Sequence, residues 1–234
     1  MSTVAKPLAG IKVLDISRVL AGPWCGQMLA DMGAEVIKIE RPQSGDDTRH
    51  WGPPWLSGSA ESAYYLCANR GKRSVTVDMA KPEGQALIKQ LAAQSDVVLE
   101  NFKVGGLKKY GLDYEALRAV NPGLIYCSIT GFGQDGPYAH RAGYDYIIQG
   151  MSGFMSITGD PDGPPLRQGN EQSHFPGAQH AAVAIMGALF YRDMQGGEGQ
   201  YIDVSLQEAL ITYYTDAHPA LAWMQLGENV TRVG

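Results

Sequence analysis

The sequence predicts an α/β fold in which a mostly parallel sheet carries helices on its faces. Apolar segments of strand length alternate with segments of helical pattern along residues 10–129, and such alternation is typical of this class. The 29 glycines among 234 residues indicate many tight turns between short elements. Hydrophobic residues make up 44% of the chain, which is enough to bury a substantial core without disulfides.

Residues 10–40 form the clearest unit, a predicted strand, helix and parallel strand. Residues 11–16 predict a buried strand, residues 24–32 a helix and residues 34–40 a second strand. Ala21-Gly22-Pro23 predicts the turn before the helix, with Pro23 at the first helical position because the N–H that proline lacks has no partner there. Gly33 suits the position after the helix, where left-handed backbone is common.

The same pattern repeats along the chain. Further strands are predicted at residues 74–78, 96–100, 124–129 and 201–204, and further helices at residues 82–93 and 114–120. A later helix over residues 178–192 is rich in small residues. Such residues suit either close packing within the chain or the approach of a second chain.

Charge and cysteine content narrow the class of protein. Acidic residues outnumber basic ones by 24 to 19, so the net charge is −5 and nucleic acid is a disfavoured partner. Cys25, Cys67 and Cys127 are widely spaced without a CxxC pair, which favours reduced thiols over a metal site and indicates a cytoplasmic location. No apolar run is long enough to span a bilayer, so we expect no membrane segment.

The common nucleotide-binding and hydrolase motifs are absent from the sequence. No GxGxxG follows the first strand, and no GxxxxGK[ST], GxSxG or HExxH occurs. These absences disfavour nicotinamide-dependent enzymes, nucleoside-triphosphate hydrolases, hydrolases with a nucleophile elbow and zinc proteases.

Basic and aromatic residues instead flank the predicted strands. Arg41 comes directly after the second strand, Lys72 and Arg73 precede the third, and Asn101 and Phe102 follow the fourth. Ligands of an open α/β sheet bind beyond the carboxyl ends of its strands, so we expect Arg41, Asn101 and Phe102 to line one crevice. Arginine binds phosphate through several donors and phenylalanine offers its face to a base, so the group suits a phosphorylated nucleotide. For each single residue the alternative is a solvated strand end.

Ordered motifs through the whole chain resemble one known family. The family III CoA-transferases, a group with formyl-CoA transferase, carnitine CoA-transferase and α-methylacyl-CoA racemase, open with segments similar to residues 7–15, 21–23 and 33–42. Further family landmarks follow in the same order at residues 45–46, 69–74, 100–102, 121–122, 131–137, 143–145, 158–159, 163–165 and 196–204. The resemblance therefore rests on many motifs rather than on one.

The resemblance implies a Rossmann-like large domain that binds CoA, in a homodimer whose two chains interlock like linked rings. Residues 1–215 would form the large domain and residues 216–234 would begin the linker toward a smaller domain, because family members are much longer. The implied ligand is CoA as a thioester, without a metal. At matching positions its contacts would be Val19, Arg41, Lys72, Arg73, Asn101 and Phe102.

The family's transferases use an aspartate as a covalent nucleophile. It attacks acyl-CoA to form a mixed anhydride, and an aspartyl-CoA thioester then passes CoA to the acceptor acid. By resemblance this aspartate belongs within residues 166–177, a segment that contains no Asp. Alignment from Gly169 puts His174 in its place, and alignment from Gly177 puts Ser173 there. Both alignments lose the carboxylate.

Glu171 is the only acid close to that position. It would act as the nucleophile if the loop brought its longer side chain within about 3.5 Å of the thioester carbon. His174 would act as a general base, since the ordinary pKa of histidine lies near neutrality. The alternative for His174 is a loop histidine bonded to the backbone.

The racemase branch of the family moves a proton beside the thioester with a His and an Asp. Its His belongs to a Gly-His-Asp triplet, where this chain has Gly143-Tyr144-Asp145. A tyrosine followed by an acid resembles the transferase branch instead. Asp145 would orient the acyl group or cap the following helix.

Two functions from different classes remain open. One is an active CoA-transferase that moves CoA between an acyl-CoA and a carboxylic acid with an atypical nucleophile. The other is a CoA-binding or structural subunit that pairs with a homologous catalytic chain, as in heteromeric members of the family. The expected assembly is accordingly a homodimer or a heteromer, and a racemase is less favoured than either.

Overall fold

A parallel sheet of six strands forms the centre of the computed structural model, which describes residues 6–212 and 217–232. Its strands are β1 (Lys12–Asp15), β2 (Glu35–Glu40), β3 (Lys72–Thr76), β4 (Val97–Glu100), β5 (Ile125–Thr130) and β6 (Tyr201–Ser205). They lie in the order β3-β2-β1-β4-β5-β6, and each neighbouring pair is parallel. The predicted α/β class is confirmed, and all strands of the described sheet are parallel.

Helices connect these strands and cover the sheet. The α-helices of the described residues are α1 (Ala21–Asp31), α2 (Ala63–Asn69), α3 (Pro82–Ala92), α4 (Tyr114–Arg118), α5 (Asp145–Met151), α6 (His174–Gln195), α7 (Leu206–Leu210) and α8 (Ala217–Leu226). Short 3-10 helices lie at Asp47–His50, Lys108–Tyr110 and Phe154–Ile157.

Each face of the sheet carries its own hydrophobic core, because successive strand residues point to opposite faces. On one face Val13 and Val97 pack with buried residues of α1 and α6. On the other face Leu14 and Val98 pack with buried residues of α3 and α4. Covering both faces explains why the inner strands carry apolar residues toward both sides. Charged residues are buried in these strands as well, among them Asp15, Lys38 and Glu100. The small residues of α6 serve this packing, since α6 lies against α1 and β5.

The sequence prediction starts two helices too late, and both contain a proline in their first turn. The predicted turn Ala21-Gly22-Pro23 is the start of α1, where Pro23 is the third residue rather than the first. Helix α6 begins at His174 instead of residue 178, and Pro176 is its third residue. Proline is tolerated at these positions because the first N–H groups of a helix have no partner within it.

Strand β3 begins earlier than predicted. Lys72 and Arg73 are its first residues and pair with Val36 and Ile37 of β2 instead of preceding the strand. Because β3 is an edge strand with mostly exposed side chains, hydrophobic alternation does not mark where it begins.

The predicted division between residues 215 and 216 falls at a position outside the described residues. Within residues 6–212 and 217–232, no helix combines the length and apolar character needed to cross a membrane.

Candidate functional site

The strand order changes direction between β1 and β4. From β1 the sheet continues to β2 and β3, and from β4 it continues to β5 and β6. Connections that leave in opposite directions open a crevice at the carboxyl edge, where open α/β sheets bind ligands. Arg18 and Val19 follow β1, and Asn101 and Phe102 follow β4, so these two loops meet at this crevice.

Side-chain hydrogen bonds fix the shape of the loop after β1. The Asn101 amide accepts the Arg18 N–H at 2.8 Å and donates to the Arg18 carbonyl oxygen at 2.6 Å. Val19 has a left-handed backbone with φ of +67°, which is uncommon for a β-branched residue. Its N–H donates to Asp46 at 3.2 Å, and Asp46 pairs with the buried Lys38 ammonium at 3.0 Å. Strained backbone held by such contacts is typical of functional sites.

One cleft, called here the β2 cleft, opens beyond β1 and β2 with a volume of about 400 Å³. Its basic lining residues are Arg18, Arg41, Lys103 and Lys109, and Phe102 lines it as well. The Arg18 guanidinium stacks on Phe102, with 4.6 Å between Cζ and the ring centroid. The buried Arg18 Nε has no hydrogen-bond partner among the described residues. The sequence analysis did not name Arg18 as a site residue, although Arg18 lies three residues after the end of β1.

Three acidic residues line the β2 cleft, and two of them, Glu40 and Asp46, are paired with basic residues, while Asp78 is in none of the ion pairs of the described residues. Arg49 donates to Glu40 at 2.7 and 2.8 Å. Burial alone would raise the pKa of Glu40, but hydrogen bonds from Arg49 and Ser74 lower it to about 2. Arg41 lines the cleft as the sequence predicts, and it forms a partly exposed ion pair with Asp47.

Lys72 and Arg73 line neither the β2 cleft nor the second cleft, which opens beyond β4 and β5. The Lys72 ammonium is buried and donates to Asp15 at 2.8 Å, while its other donors reach a backbone carbonyl and a side-chain amide. Burial alone would raise the pKa of Asp15, but Lys72 and Lys38 lower it. Arg73 is exposed and pairs with Glu35. The structure therefore does not bring these two residues to the crevice, and the CoA contact implied for them stays a prediction.

A second cleft, called here the β5 cleft, opens beyond β4 and β5 with a volume of about 230 Å³. Its lining includes the predicted Val19, Asn101 and Phe102, together with Thr130 and His174. Phe102 and Lys103 line both clefts, so the two clefts meet at this turn. A ligand with two chemically different parts would fit this arrangement.

The β5 cleft carries positive charge from Lys103 and Arg141. Its described lining also includes His140 and contains no carboxylate. The Arg141 guanidinium stacks on the ring of Tyr138 at 4.3 Å. In the part of the chain that the structure describes, His, Cys, Asp and Glu side chains form no group suited to hold a metal ion.

The three residues predicted for catalysis lie close together. The Ser173 N–H and hydroxyl both donate to Asp145 at 2.9 Å, and Gln149 donates to the other Asp145 oxygen at 2.6 Å. Asp145 is the first residue of α5, yet its carboxylate anchors the residue before α6 instead of capping its own helix. Burial and a hydrogen bond with Glu171 raise the pKa of Tyr64, which places Glu171 against α2.

Of these three residues, His174 is the one that lines the β5 cleft. It is the first residue of α6 and not a loop residue, and its buried Nδ1 has no hydrogen-bond partner among the described residues. Burial lowers the pKa of His174, although Asp145 and Glu171 oppose the shift. The imidazole is therefore neutral at pH 7 and keeps one N–H to donate.

The strand order and the paired clefts define a doubly wound α/β protein with a ligand site at its switch point. The family model described as CoA-transferase family III matches residues 8–233. The chain belongs to this family, which confirms the resemblance seen in its motifs.

Known proteins support this assignment. The succinate–glutarate CoA-transferase of Agrobacterium fabrum is 59% identical over 86% of this chain and 51% of its own length. The beta subunit of succinyl-CoA–L-malate CoA-transferase from Chloroflexus aurantiacus is 38% identical over 94% of this chain and 54% of its own length.

A solved structure matches as well. A CAIB/BAIF family protein from Brucella suis is 49% identical with a TM-score of 0.93, over 99% of this chain and 61% of that one. The chain thus spans about half the length of the curated relatives that it matches.

Proposed function

We propose that this protein acts in the transfer of CoA between an acyl-CoA and a carboxylic acid. The observation that carries the proposal is the meeting of two clefts at Phe102 and Lys103, in a chain of the CoA-transferase family. CoA has a nucleotide part and a pantetheine arm that ends in the thioester. One molecule of acyl-CoA would therefore occupy both clefts.

The nucleotide part of CoA belongs in the β2 cleft under this proposal. Arg18, Arg41 and Lys109 supply positive charge for its phosphates, and arginine binds phosphate through several donors. The Arg18 guanidinium stacks on the ring of Phe102, and the planar adenine base of CoA would extend this stack. Val19 and Asn101 would contact the pantetheine arm where it passes into the β5 cleft.

The acyl group and the acceptor acid belong in the β5 cleft. The names of two relatives specify succinate, glutarate and malate, which are all dicarboxylic acids. We infer a dicarboxylic acid for this protein too, because Lys103 and Arg141 line this cleft without a carboxylate in its described lining to neutralise them.

The proposed chemistry is nucleophilic catalysis by a carboxylate, with Glu171 in place of the family's aspartate. Glu171 would attack the thioester carbon and release CoA thiolate, leaving a mixed anhydride. The thiolate would then attack the Glu171 carbonyl carbon and release the donor acid. The acceptor carboxylate would attack the resulting glutamyl-CoA thioester and release CoA thiolate, leaving a second mixed anhydride. CoA thiolate would finally attack the acceptor carbonyl carbon of this anhydride and release the Glu171 carboxylate.

A non-catalytic subunit is the second candidate function. Glu171 does not line the β5 cleft, an observation that favours this alternative. As a non-catalytic subunit, this chain would bind CoA or support a homologous catalytic chain. The name of the Chloroflexus relative, a beta subunit, is consistent with such a division. Both candidates imply assembly with another family III chain, either identical or related. The racemase reading has less support, since Tyr144 stands where that branch has its His.

Chemical trapping separates these candidates. The purified protein would be incubated with succinyl-CoA and then with hydroxylamine or borohydride, and its peptides would be analysed by mass spectrometry. A modified Glu171, absent from the Glu171→Gln variant, supports the transferase. CoA binding without any adduct supports a CoA-binding subunit. Failure to bind CoA contradicts both the transferase and the CoA-binding subunit, and leaves only a structural subunit.

A further inference from the structure

Three buried side-chain atoms of the described residues have no hydrogen-bond partner, and all three belong to residues that line the clefts. They are Arg18 Nε in the β2 cleft, and Thr130 Oγ1 and His174 Nδ1 in the β5 cleft. Buried polar atoms are nearly always bonded, so unpartnered ones need an explanation. Their shared location indicates that a ligand supplies the missing partners.

Thr130 and His174 approach the β5 cleft from elements that pack together. Thr130 is the last residue of β5, and His174 is the first residue of α6, which lies against β5. Gly177 lets α6 approach α7 closely, since a Cβ on it would lie 2.3 Å from Leu206, and that Cβ would be in ordinary contact with Ile129 of β5 at 4.0 Å. Both polar atoms are therefore carried by rigid elements and not by a mobile loop.

Both atoms can act as hydrogen-bond donors. A threonine hydroxyl donates one hydrogen bond, and a neutral imidazole donates from Nδ1 in the tautomer that carries its proton there. The N-terminus of α6, a helix of 22 residues, adds partial positive charge at His174. No carboxylate lines the described cleft to accept these donors, so an oxygen of the ligand is the fitting acceptor.

We propose that Thr130 Oγ1 and His174 Nδ1 bind the carbonyl oxygen of the acyl thioester. This inference rests on the proposed binding of acyl-CoA and extends it to the reacting group. When a nucleophile attacks the carbonyl carbon, negative charge develops on this oxygen, and fixed donors stabilise that charge more than the starting carbonyl. Thr130 and His174 are in this sense catalytic residues that do not form a covalent bond.

The test compares two ligands that differ in the carbonyl oxygen. One is a ketone analogue of succinyl-CoA in which CH₂ replaces the thioester sulfur, and the other is an S-alkyl-CoA of the same chain length without the carbonyl. Binding of both to the full chain is measured by calorimetry. We expect Thr130→Val to weaken binding of the ketone about tenfold and of the S-alkyl-CoA less than about twofold. Thr130→Ser, which keeps the hydroxyl, should retain most of the ketone affinity.

His174 provides an independent comparison. The side-chain amide of Asn reaches the position of Nδ1, whereas that of Gln reaches the position of Nε2. His174→Asn should therefore keep more of the ketone preference than His174→Gln. Variants that weaken both ligands equally, or neither ligand, would overturn the inference while CoA binding stands. If the wild-type protein binds neither ligand, the proposed function itself falls, and the inference falls with it.

Discussion

The side-chain amide of Asn101 bonds both backbone polar groups of Arg18, at 2.8 Å from the Arg18 N–H and 2.6 Å from its carbonyl oxygen. The residues are far apart in the chain, and the contact joins the loops after β1 and β4. It lies where the strand order changes direction. Asn101, which the sequence predicts as a CoA contact, therefore also sets the backbone from which Arg18 and Val19 reach the ligand.

Removing this link should weaken CoA binding. We expect Asn101→Ala to destabilise the protein by about 1–3 kcal/mol, since two partly buried backbone groups lose their partner, and to lower CoA affinity several-fold. Asn101→Asp keeps the acceptor but loses the donor, so its affinity should also fall. Urea unfolding and calorimetry measure the two effects. Asn121→Ala is the matched control, because Asn121 bonds two carbonyl groups outside both clefts and should affect stability alone.

Arg18 should contribute strongly to CoA affinity. Its guanidinium lines the β2 cleft with an unpartnered Nε, so a phosphate there would gain a charge-assisted hydrogen bond. We expect Arg18→Met to raise the Kd for CoA about tenfold or more and to reduce its salt dependence. Arg70→Met, which removes an exposed arginine paired with Asp31, serves as the control of equal charge. Equal Kd values for the two variants would contradict a role of Arg18 in binding.

Lys72 should contribute more to the free energy of unfolding than Arg73, which follows it in the chain. Lys72→Met leaves Asp15 buried without its cation, which should destabilise the protein by about 3–5 kcal/mol in urea unfolding. Arg73→Ala removes only an exposed ion pair with Glu35 and should change stability by less than about 1 kcal/mol. A small effect of Lys72→Met would show that the buried pair is not required for folding.

Glu100 should make the stability depend on pH. Its carboxylate accepts the Phe102 N–H at 2.7 Å, and burial raises its pKa from 4.5 to about 7, although Ser128 and Phe102 oppose the shift. Between pH 4.5 and about 7, Glu100 is protonated in the folded protein but ionised in the unfolded chain. The free energy of unfolding should therefore fall by up to roughly 3 kcal/mol as pH rises from 4.5 to 7, and change no further above it.

Glu100→Gln should remove this dependence, since an amide keeps the acceptor and does not titrate. The measurement is urea unfolding across pH 4.5 to 8 for both proteins, and the difference between them isolates Glu100 from Asp203, whose pKa burial also raises. The same slope in both proteins would assign the effect to another group.

The sheet could be predicted from sequence because its inner strands are buried on both faces and read as apolar runs. Their order, and hence the switch point between β1 and β4, could not be predicted, because parallel strands pair over long separations. The predicted starts of α1 and α6 fall after the observed ones, and in both helices the third residue is a proline, Pro23 and Pro176.

Arg41 and Phe102 follow inner strands and both line the β2 cleft, so their position at a cleft could be predicted from the sequence, while their contact with CoA stays a prediction. The sequence analysis expected Lys72 at the ligand crevice, whereas its ammonium is buried against Asp15, because no local sequence pattern shows that this side chain points inward. Thr130 was missed since only the packing of α6 on β5 reveals that its hydroxyl is buried without a partner.

Phe102 and Lys103 form a turn that lines both clefts. A ligand in one cleft would hold this turn in one conformation for the other cleft, so fragments of CoA should not bind independently. A nucleotide fragment and a pantetheine fragment would each change the affinity for the other by the same factor, as thermodynamic linkage demands. Under the proposed function, recognition of the CoA portion and selection of the acyl portion would therefore be coupled through one short turn.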